Sequence, residues 1–174
     1  LECGWRRCCL MSKILIISAT SDKNLELANE LQFSLTSMGT DSGLVVLDKL
    51  NLPVYTYEAE IESGVVEEII EKMKNASGLI FCAPEYNGNV PPVLSNAITW
   101  ISVKSINWRD AFNGKFAVIG THSAGDGYRF LTAFRSQLEY MGTNVLARTI
   151  SITKEKPLNE DSVKSILQGL VDSI

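Results

Sequence analysis

Long apolar runs, blocks of like charge and a basic stripe are all missing from this chain of 174 residues. The apolar segments, such as residues 14–17 and 79–83, are far shorter than the roughly 20 residues of a membrane-spanning helix. Sixteen Lys and Arg against twenty Asp and Glu give a net charge of −4. We therefore expect neither a membrane span nor a nucleic-acid partner, since nucleic acids are bound by clustered positive charge.

Cysteine is almost absent from the body of the chain. Three of the four cysteines lie in the first ten residues: Cys3, Cys8 and Cys9. Because Met11 follows directly, we expect residues 1–10 to be a non-native or disordered N-terminal extension and residues 11–174 to form one domain. These cysteines have no further ligand at a zinc-like spacing and His122 is far away, so no metal is expected. The remaining cysteine, Cys82, ends an apolar run and is interpreted as buried.

The first residues do not have the pattern of a secretory signal. Arg6 and Arg7 are followed by too short an apolar stretch, and the next apolar run is needed as a strand. A cytoplasmic protein is therefore expected.

Five short apolar runs predict β-strands at residues 13–18, 44–47, 78–82, 115–120 and 144–150. Most of them are continuously apolar, which is typical of a parallel sheet covered by helices on both faces. Between them, apolar residues recur at the three- and four-residue spacing of one helix face. This alternation predicts an α/β domain of three layers, with a doubly wound five-stranded parallel sheet in the order 2-1-3-4-5.

In this architecture ligands bind at the carboxyl ends of the strands, near the switch point between the first and third strands. Three connections open at that edge. We name them loop 1 (residues 18–24), loop 2 (residues 83–90) and loop 3 (residues 121–127). A ligand site is therefore expected where these three loops meet.

Loop 1 combines hydroxyl groups with the start of a helix. Ser18, Thr20, Ser21 and free backbone N–H groups can hold a phosphate there, with Lys23 adding positive charge. The alternative is that Ser21 or Asp22 only caps the helix, and the residues leave both interpretations open. No Walker or G-x-G-x-x-G pattern occurs, which disfavours phosphoryl transfer and an ordinary dinucleotide site.

Loop 2 contains turn-forming residues and runs into a proline-led helix. Asn87 and Gly88 favour a turn that leaves N–H groups free to address the polar edge of a planar ring. Pro91 and Pro92 fit a helix start, where a missing N–H group matters least. The alternative is a rigid crossover turn with Tyr86 packed as an ordinary aromatic side chain.

The run from Pro84 to Trp100 closely resembles the P-E-Y-N-x-x-x-P-x-x-L-K-N-A-I-D-W signature of NAD(P)H-dependent FMN reductases. These flavodoxin-like enzymes include quinone-, azo-dye- and chromate-reducing members. The resemblance extends over residues 12–149. It implies FMN as cofactor, NADH or NADPH as co-substrate, a small-molecule electron acceptor, and a homodimer or dimer of dimers. It implies hydride transfer through the flavin with no catalytic side chain.

The resemblance also implies three groups of cofactor-binding residues. Those around the FMN phosphate are Ser18, Thr20, Ser21, Lys23 and Asn24. Those bordering the isoalloxazine ring are Pro84, Glu85, Tyr86, Asn87 and Gly88. Those flanking the other edge of the ring are Ser123, Ala124, Gly125 and Gly127.

The chain departs from the family pattern in loop 1 and in the signature helix. Loop 1 is one residue shorter, carries Asp22 near the position of the family's second Ser, and lacks the family's Arg. In the helix, Pro92, Ser95 and Thr99 replace the usual Gly, Lys and Asp. These changes bear on flavin affinity, on the entrance to the site and on the subunit contact.

Three other functions compete with the reductase. A flavodoxin-type electron carrier has the same fold and cofactor, but such carriers are more acidic than this chain. A flavin-free structural or regulatory module fits the altered loop 1. A hydrolase using Ser18 or Ser123 is the weakest of the three, because neither serine lies in a G-x-S-x-G motif.

Overall fold

The computed structural model describes residues 13–174, and the expected non-native extension at residues 1–10 lies outside the described residues. One parallel sheet contains the strands β1 (Ile14–Ser18), β2 (Ser42–Val46), β3 (Gly78–Cys82), β4 (Phe116–His122), β5 (Asn144–Val145) and β6 (Ile150–Ile152). The order is β2-β1-β3-β4-β5, with β6 also beside β4. The expected fold class and the strand order 2-1-3-4-5 are confirmed.

Helices cover both faces of the sheet. They are α1 (Lys23–Ser37), α2 (Val65–Asn75), α3 (Pro92–Lys104), α4 (Tyr128–Tyr140) and α5 (Glu160–Asp172), with a short 3-10 helix at Leu47–Leu50. Alternate residues of β1 face opposite cores: Ile14 packs with α1 and α5, and Leu15 with α2, α3 and α4. Burial on both faces explains the unbroken apolar pattern of the strands. Every helix within residues 13–174 is too short or too polar to span a bilayer.

The fifth strand is interrupted, which corrects the prediction of one continuous strand over residues 144–150. β5 pairs with the start of β4, and β6 pairs with its end. The last bond of the first part runs from the Leu146 N–H group to Ala117 at 2.9 Å. There the guanidinium of Arg135 on α4 donates to the carbonyl oxygens of Val145, Leu146 and Ala147 at 2.7 to 3.3 Å. A side chain thus supplies the donors for these three carbonyl groups.

The apolar residues in the second half of α3 and after it divide between core and surface. Trp100, Ile101 and Phe112 are buried, and Trp108 is 41% exposed. Trp108 lies against Tyr140, with ring centroids 5.8 Å apart.

Candidate functional site

Loops 1, 2 and 3 meet around an open cleft of about 460 Å³. They do so because β1, β3 and β4 are neighbours in the sheet and end at the same edge. Backbone hydrogen bonds continue past the strands, from the Ala19 N–H group to Cys82 and from the Ala83 N–H group to Gly120. The cleft is lined by Asp22, Lys23, Asn24, Pro84, Glu85, Tyr86, His122, Ser123, Ala124 and Lys154.

Loop 2 forms a tight two-residue turn at the cleft. Tyr86 and Asn89 exchange backbone hydrogen bonds of 3.3 and 3.0 Å, and the residues between them, Asn87 and Gly88, have φ of 51° and 70°. Two positive φ values define the turn type that Asn-Gly favours. The N–H groups of Asn87 and Gly88 have no partner within the described part of the chain. They are therefore free to donate to the polar edge of a planar ligand.

Glu85 and Ser123 fasten loop 2 to loop 3. The Ser123 hydroxyl accepts a 2.8 Å hydrogen bond from the Glu85 N–H group and shares a second one with the Thr121 hydroxyl. The Glu85 carboxylate accepts a 2.9 Å hydrogen bond from the N–H group of Phe130, in the first turn of α4. Because Gly127 precedes α4 and has no side chain, Glu85 caps the helix in its place. Both side chains therefore hold the loops in position.

The remaining residues predicted in loop 3 differ in their surroundings. Ala124 and Gly125 are exposed, and Ala124 lines the cleft. Gly127 is buried with φ of +63°, and a Cβ atom there would lie 2.6 Å from Cγ2 of Thr121. Gly127 thus allows loop 3 to pass close to β4.

Asp22 caps helix α1. Its Oδ1 accepts hydrogen bonds from the Asn24 N–H group at 3.3 Å and from the Thr20 hydroxyl at 2.6 Å. Of the two residues that the sequence offered as caps, Ser21 and Asp22, it is Asp22 that caps α1. The hydroxyl of Ser18 is buried and donates to the carbonyl oxygen of Thr20.

Ser21 is bound by a carboxylate from another part of the chain. Asp48 lies in the 3-10 helix after β2. One of its carboxylate oxygens accepts a 2.7 Å hydrogen bond from the Ser21 N–H group, and the other accepts a 2.6 Å hydrogen bond from the Ser21 hydroxyl. β2 lies beside β1, and Val46 at its end pairs with Ser18. This register brings Asp48 onto loop 1.

Asn24 and Lys23 both have partners within the chain. The side-chain amide of Asn24 donates a 3.0 Å hydrogen bond to the carbonyl oxygen of His122 and accepts a 2.9 Å hydrogen bond from the N–H group of the same residue. Asn24 is buried, and these two bonds connect α1 to β4. The exposed Lys23 ammonium lies 2.7 Å from Glu26. Its hydrogen bond to Glu26 and that residue's negative charge raise the pKa of Lys23.

The site has free hydrogen-bond donors for both the ring and the phosphate of a flavin, but only those on the phosphate side lie beside carboxylates. On the ring side the cleft offers Tyr86, which is followed directly by the free N–H groups of Asn87 and Gly88. On the phosphate side, the N–H groups of Thr20, Asp22 and Lys23 have no partner within residues 13–174. Those of Asp22 and Lys23 lie at the N-terminus of α1, where a phosphate can bind. The two carboxylates described above already occupy four neighbouring donors.

The described residues offer no thiolate nucleophile and no metal cluster. Burial raises the pKa of Cys82 to about 12, so the thiol is protonated at neutral pH. Within residues 13–174, no group of three or more His, Cys, Asp or Glu side chains can hold a metal ion.

Sequence reasoning did not select Asp48 or Lys154 for the site. Lys154 follows β6 and lines the cleft. Asp48 follows β2, whose carboxyl end lies at the same edge as those of β1 and β3. Applying the strand-end rule to the second strand as well would have pointed to Asp48.

The family model of NADPH-dependent FMN reductases matches residues 12–156. The chain belongs to this reductase family. The expected family, with its flavin and nicotinamide cofactors, is thus confirmed.

Proteins similar to this family member include flavin and quinone reductases. The chain is 30% identical to an NAD(P)H-dependent FMN reductase of Pseudomonas aeruginosa over 87% of its own length and 76% of that protein. It is 38% identical to the quinone reductase of Escherichia coli K12 over 55 residues, which span only 30% of this chain and 29% of that protein. The flavoenzyme NAD(P)H:(acceptor) oxidoreductase FerB of Paracoccus denitrificans has the same fold, with a TM-score of 0.73 and 17% identity over 92% of this chain and 96% of FerB.

Proposed function

We propose that this family member is an enzyme that passes a hydride from NADH or NADPH, through FMN in the cleft between loops 1, 2 and 3, to a quinone-like or other small acceptor. The hydride carries two electrons and one proton away from NAD(P)H. With one further proton from solvent, a quinone acceptor becomes a hydroquinone. The observation that carries the proposal is the open cleft at the switch point of the sheet, lined on the loop 2 side by Pro84, Glu85 and Tyr86. The turn with the free N–H groups of Asn87 and Gly88 directly follows Tyr86.

When bound, the flavin supplies the two-electron chemistry, and the chain supplies binding and orientation. The N–H groups of Asn87 and Gly88 would donate to the polar edge of the ring, where negative charge develops on reduction. Glu85 and Ser123 hold loop 2 against loop 3, so these donors keep their positions. The cleft is open to solvent, which allows the co-substrate and the acceptor to use it in turn.

The proposal includes a cytoplasmic homodimer, either alone or within a dimer of dimers. Family resemblance supports the dimer. The surface offers Ile106, Trp108 and Tyr140 as exposed apolar residues. Large exposed aromatic residues are enriched at protein interfaces.

Anaerobic reduction of bound FMN tests the proposed function. We expect NADH or NADPH to bleach the visible spectrum of the FMN-reconstituted chain on the timescale of turnover, and a quinone to restore it. The nicotinamide that bleaches faster is the preferred donor. Bound FMN that neither donor reduces would instead indicate an electron carrier, and the absence of flavin binding would indicate a flavin-free module.

Tyr86→Ala tests the assignment of loop 2. Tyr86 borders the cleft and is 45% exposed, so its ring is available to pack against a flavin. We expect the substitution to weaken FMN binding by about tenfold, which corresponds to the 0.5–1.5 kcal/mol of an aromatic pair plus lost contact area. Flavin fluorescence titration measures the change.

The matched control is Phe33→Ala. Phe33 is 75% exposed and lies in α1, ten residues after the loop 1 end of the helix. FMN affinity should stay within about twofold of the unmodified chain, because this distance along a helix is about 15 Å. Equal losses in both variants would contradict the placement of the ring beside loop 2.

A further inference from the structure

The donors of loop 1 are divided between this chain's own carboxylates and free N–H groups. Asp48 binds Ser21 through both of its oxygens, at 2.7 and 2.6 Å. An N–H group and a hydroxyl at the start of a helix are also the donors that a phosphate uses. Asp48 therefore occupies donors that a phosphate oxygen would otherwise take.

The charges around loop 1 also oppose a phosphate. Asp22 and Asp48 both accept hydrogen bonds from the loop. The ammonium of loop 1, on Lys23, is paired with Glu26 at 2.7 Å. A second ammonium, on Lys154 after β6, lines the same cleft. At Ser21 itself, the negative charge of Asp48 repels a phosphate dianion as long as Asp48 stays in place. The ribityl chain of a flavin is neutral, so it is not repelled.

The Asp48 contact can open without unfolding the core. Asp48 is half-buried, and both of its hydrogen bonds to Ser21 are exposed to solvent. It lies in a four-residue 3-10 helix that is followed by the long connection to α2. Asp22, in contrast, caps α1 and is part of that helix's start. Asp48 is therefore the carboxylate that a phosphate displaces.

On the basis of the proposed function, we propose that Asp48 is an internal competitor of the flavin phosphate. The chain holds the Asp48 carboxylate on Ser21 when no phosphate is present and binds FMN only by displacing it. The phosphate group of FMN consequently adds little to the affinity of the chain for FMN. The substrate class of the site is thus flavins with or without a phosphate, and FMN exchanges readily with riboflavin.

The test compares the binding of FMN and riboflavin to the unmodified chain, Asp48→Ala and Asp48→Asn. The two flavins share the ring and differ in the phosphate, so the ratio of their dissociation constants isolates the phosphate contribution. In the unmodified chain we expect this ratio to stay below about tenfold. Quenching of flavin fluorescence measures both constants, and circular dichroism checks that each variant is folded.

Asp48→Ala is expected to tighten FMN binding by about tenfold, because it frees both Ser21 donors and removes a negative charge. Riboflavin binding should stay within about twofold. Asp48→Asn removes the charge but keeps an acceptor for Ser21, so a smaller gain for FMN is expected. This conservative variant keeps the 3-10 helix intact if the alanine variant is unstable.

Asp41→Ala is the matched control. Asp41 is exposed and precedes β2, so it lies at the opposite edge of the sheet from Asp48. The substitution removes the same charge without touching loop 1. FMN affinity should not change in this variant, and a gain equal to that of Asp48→Ala would show a general charge effect and overturn the proposal.

The other outcomes separate this proposal from the proposed function. FMN binding that is unchanged in both Asp48 variants, or that changes equally for riboflavin, overturns the competition and leaves the reductase function standing. If the unmodified chain binds FMN more than about a hundredfold more tightly than riboflavin, the competition is also overturned and the reductase function still stands. If no variant binds either flavin, the proposed function fails and the competition fails with it. FMN binding that appears only in the Asp48 variants supports the competition.

Discussion

Replacing Trp100 by alanine is expected to lower the free energy of unfolding by about 3–5 kcal/mol. The side chain is buried on α3, and its Nε1 group donates a 2.7 Å hydrogen bond to the carbonyl oxygen of Pro53. Its ring packs edge-on against Tyr55, with centroids 5.1 Å apart. The substitution leaves a cavity and removes a contact between α3 and the connection from β2 to α2, which Asn96 also binds through hydrogen bonds to Pro53 and Tyr55.

Urea unfolding measures this effect, and Trp108→Ala is the control. Trp108 is also a tryptophan of the segment after loop 2, but it is 41% exposed and stacks on Arg109 at 4.3 Å. We expect its replacement to lower stability by about 1 kcal/mol or less. Trp100→Phe keeps an apolar ring but loses the hydrogen bond and part of the ring volume, so an intermediate loss is expected. Equal losses in the two alanine variants would contradict the burial of Trp100.

Gly127→Ala is expected to lower the free energy of unfolding by about 2–4 kcal/mol. Two effects add. Gly127 has φ of +63°, and the new Cβ atom would lie 2.6 Å from Cγ2 of Thr121. Relief requires loop 3 to move away from β4, which also disturbs the Thr121–Ser123 hydrogen bond that supports Glu85. Weaker FMN binding should accompany the loss of stability.

Gly125→Ala is the control for Gly127→Ala. It changes the same loop, but nothing lies within 4 Å of a Cβ atom at position 125. Its effect on stability should stay within about 0.5 kcal/mol. Adding Thr121→Ser to Gly127→Ala removes the clashing methyl group and keeps the hydroxyl, so part of the lost stability should return. A double variant no more stable than Gly127→Ala would argue against the steric cause.

The local features of the fold could be predicted from the sequence. Unbroken apolar runs predicted a sheet buried on both faces, and the strand order followed from five alternating units. The turn at Asn87 and Gly88 follows from the preferences of those two residues. The helix start at Pro92 follows from proline's missing N–H group.

The fifth strand shows where local pattern failed. Residues 144–150 have the composition of one strand, but Arg135 takes up the carbonyl groups in its middle. Arg135 lies on α4, so its reach to these carbonyls depends on how that helix packs on the sheet. Local apolarity contains no information about that packing.

The sequence by itself determined the parallel sheet, the loops that end at its carboxyl edge and the family to which the chain belongs. These features depend on residues close together in the chain or on a continuous motif. The tertiary structure alone decided which groups those loops bind. Ser21 and Asp48 are 27 residues apart, Glu85 and Phe130 are 45 apart, and Asn24 and His122 are 98 apart. Such pairs form only after strand order and register have brought their backbones together, because hydrogen bonds act over about 3 Å.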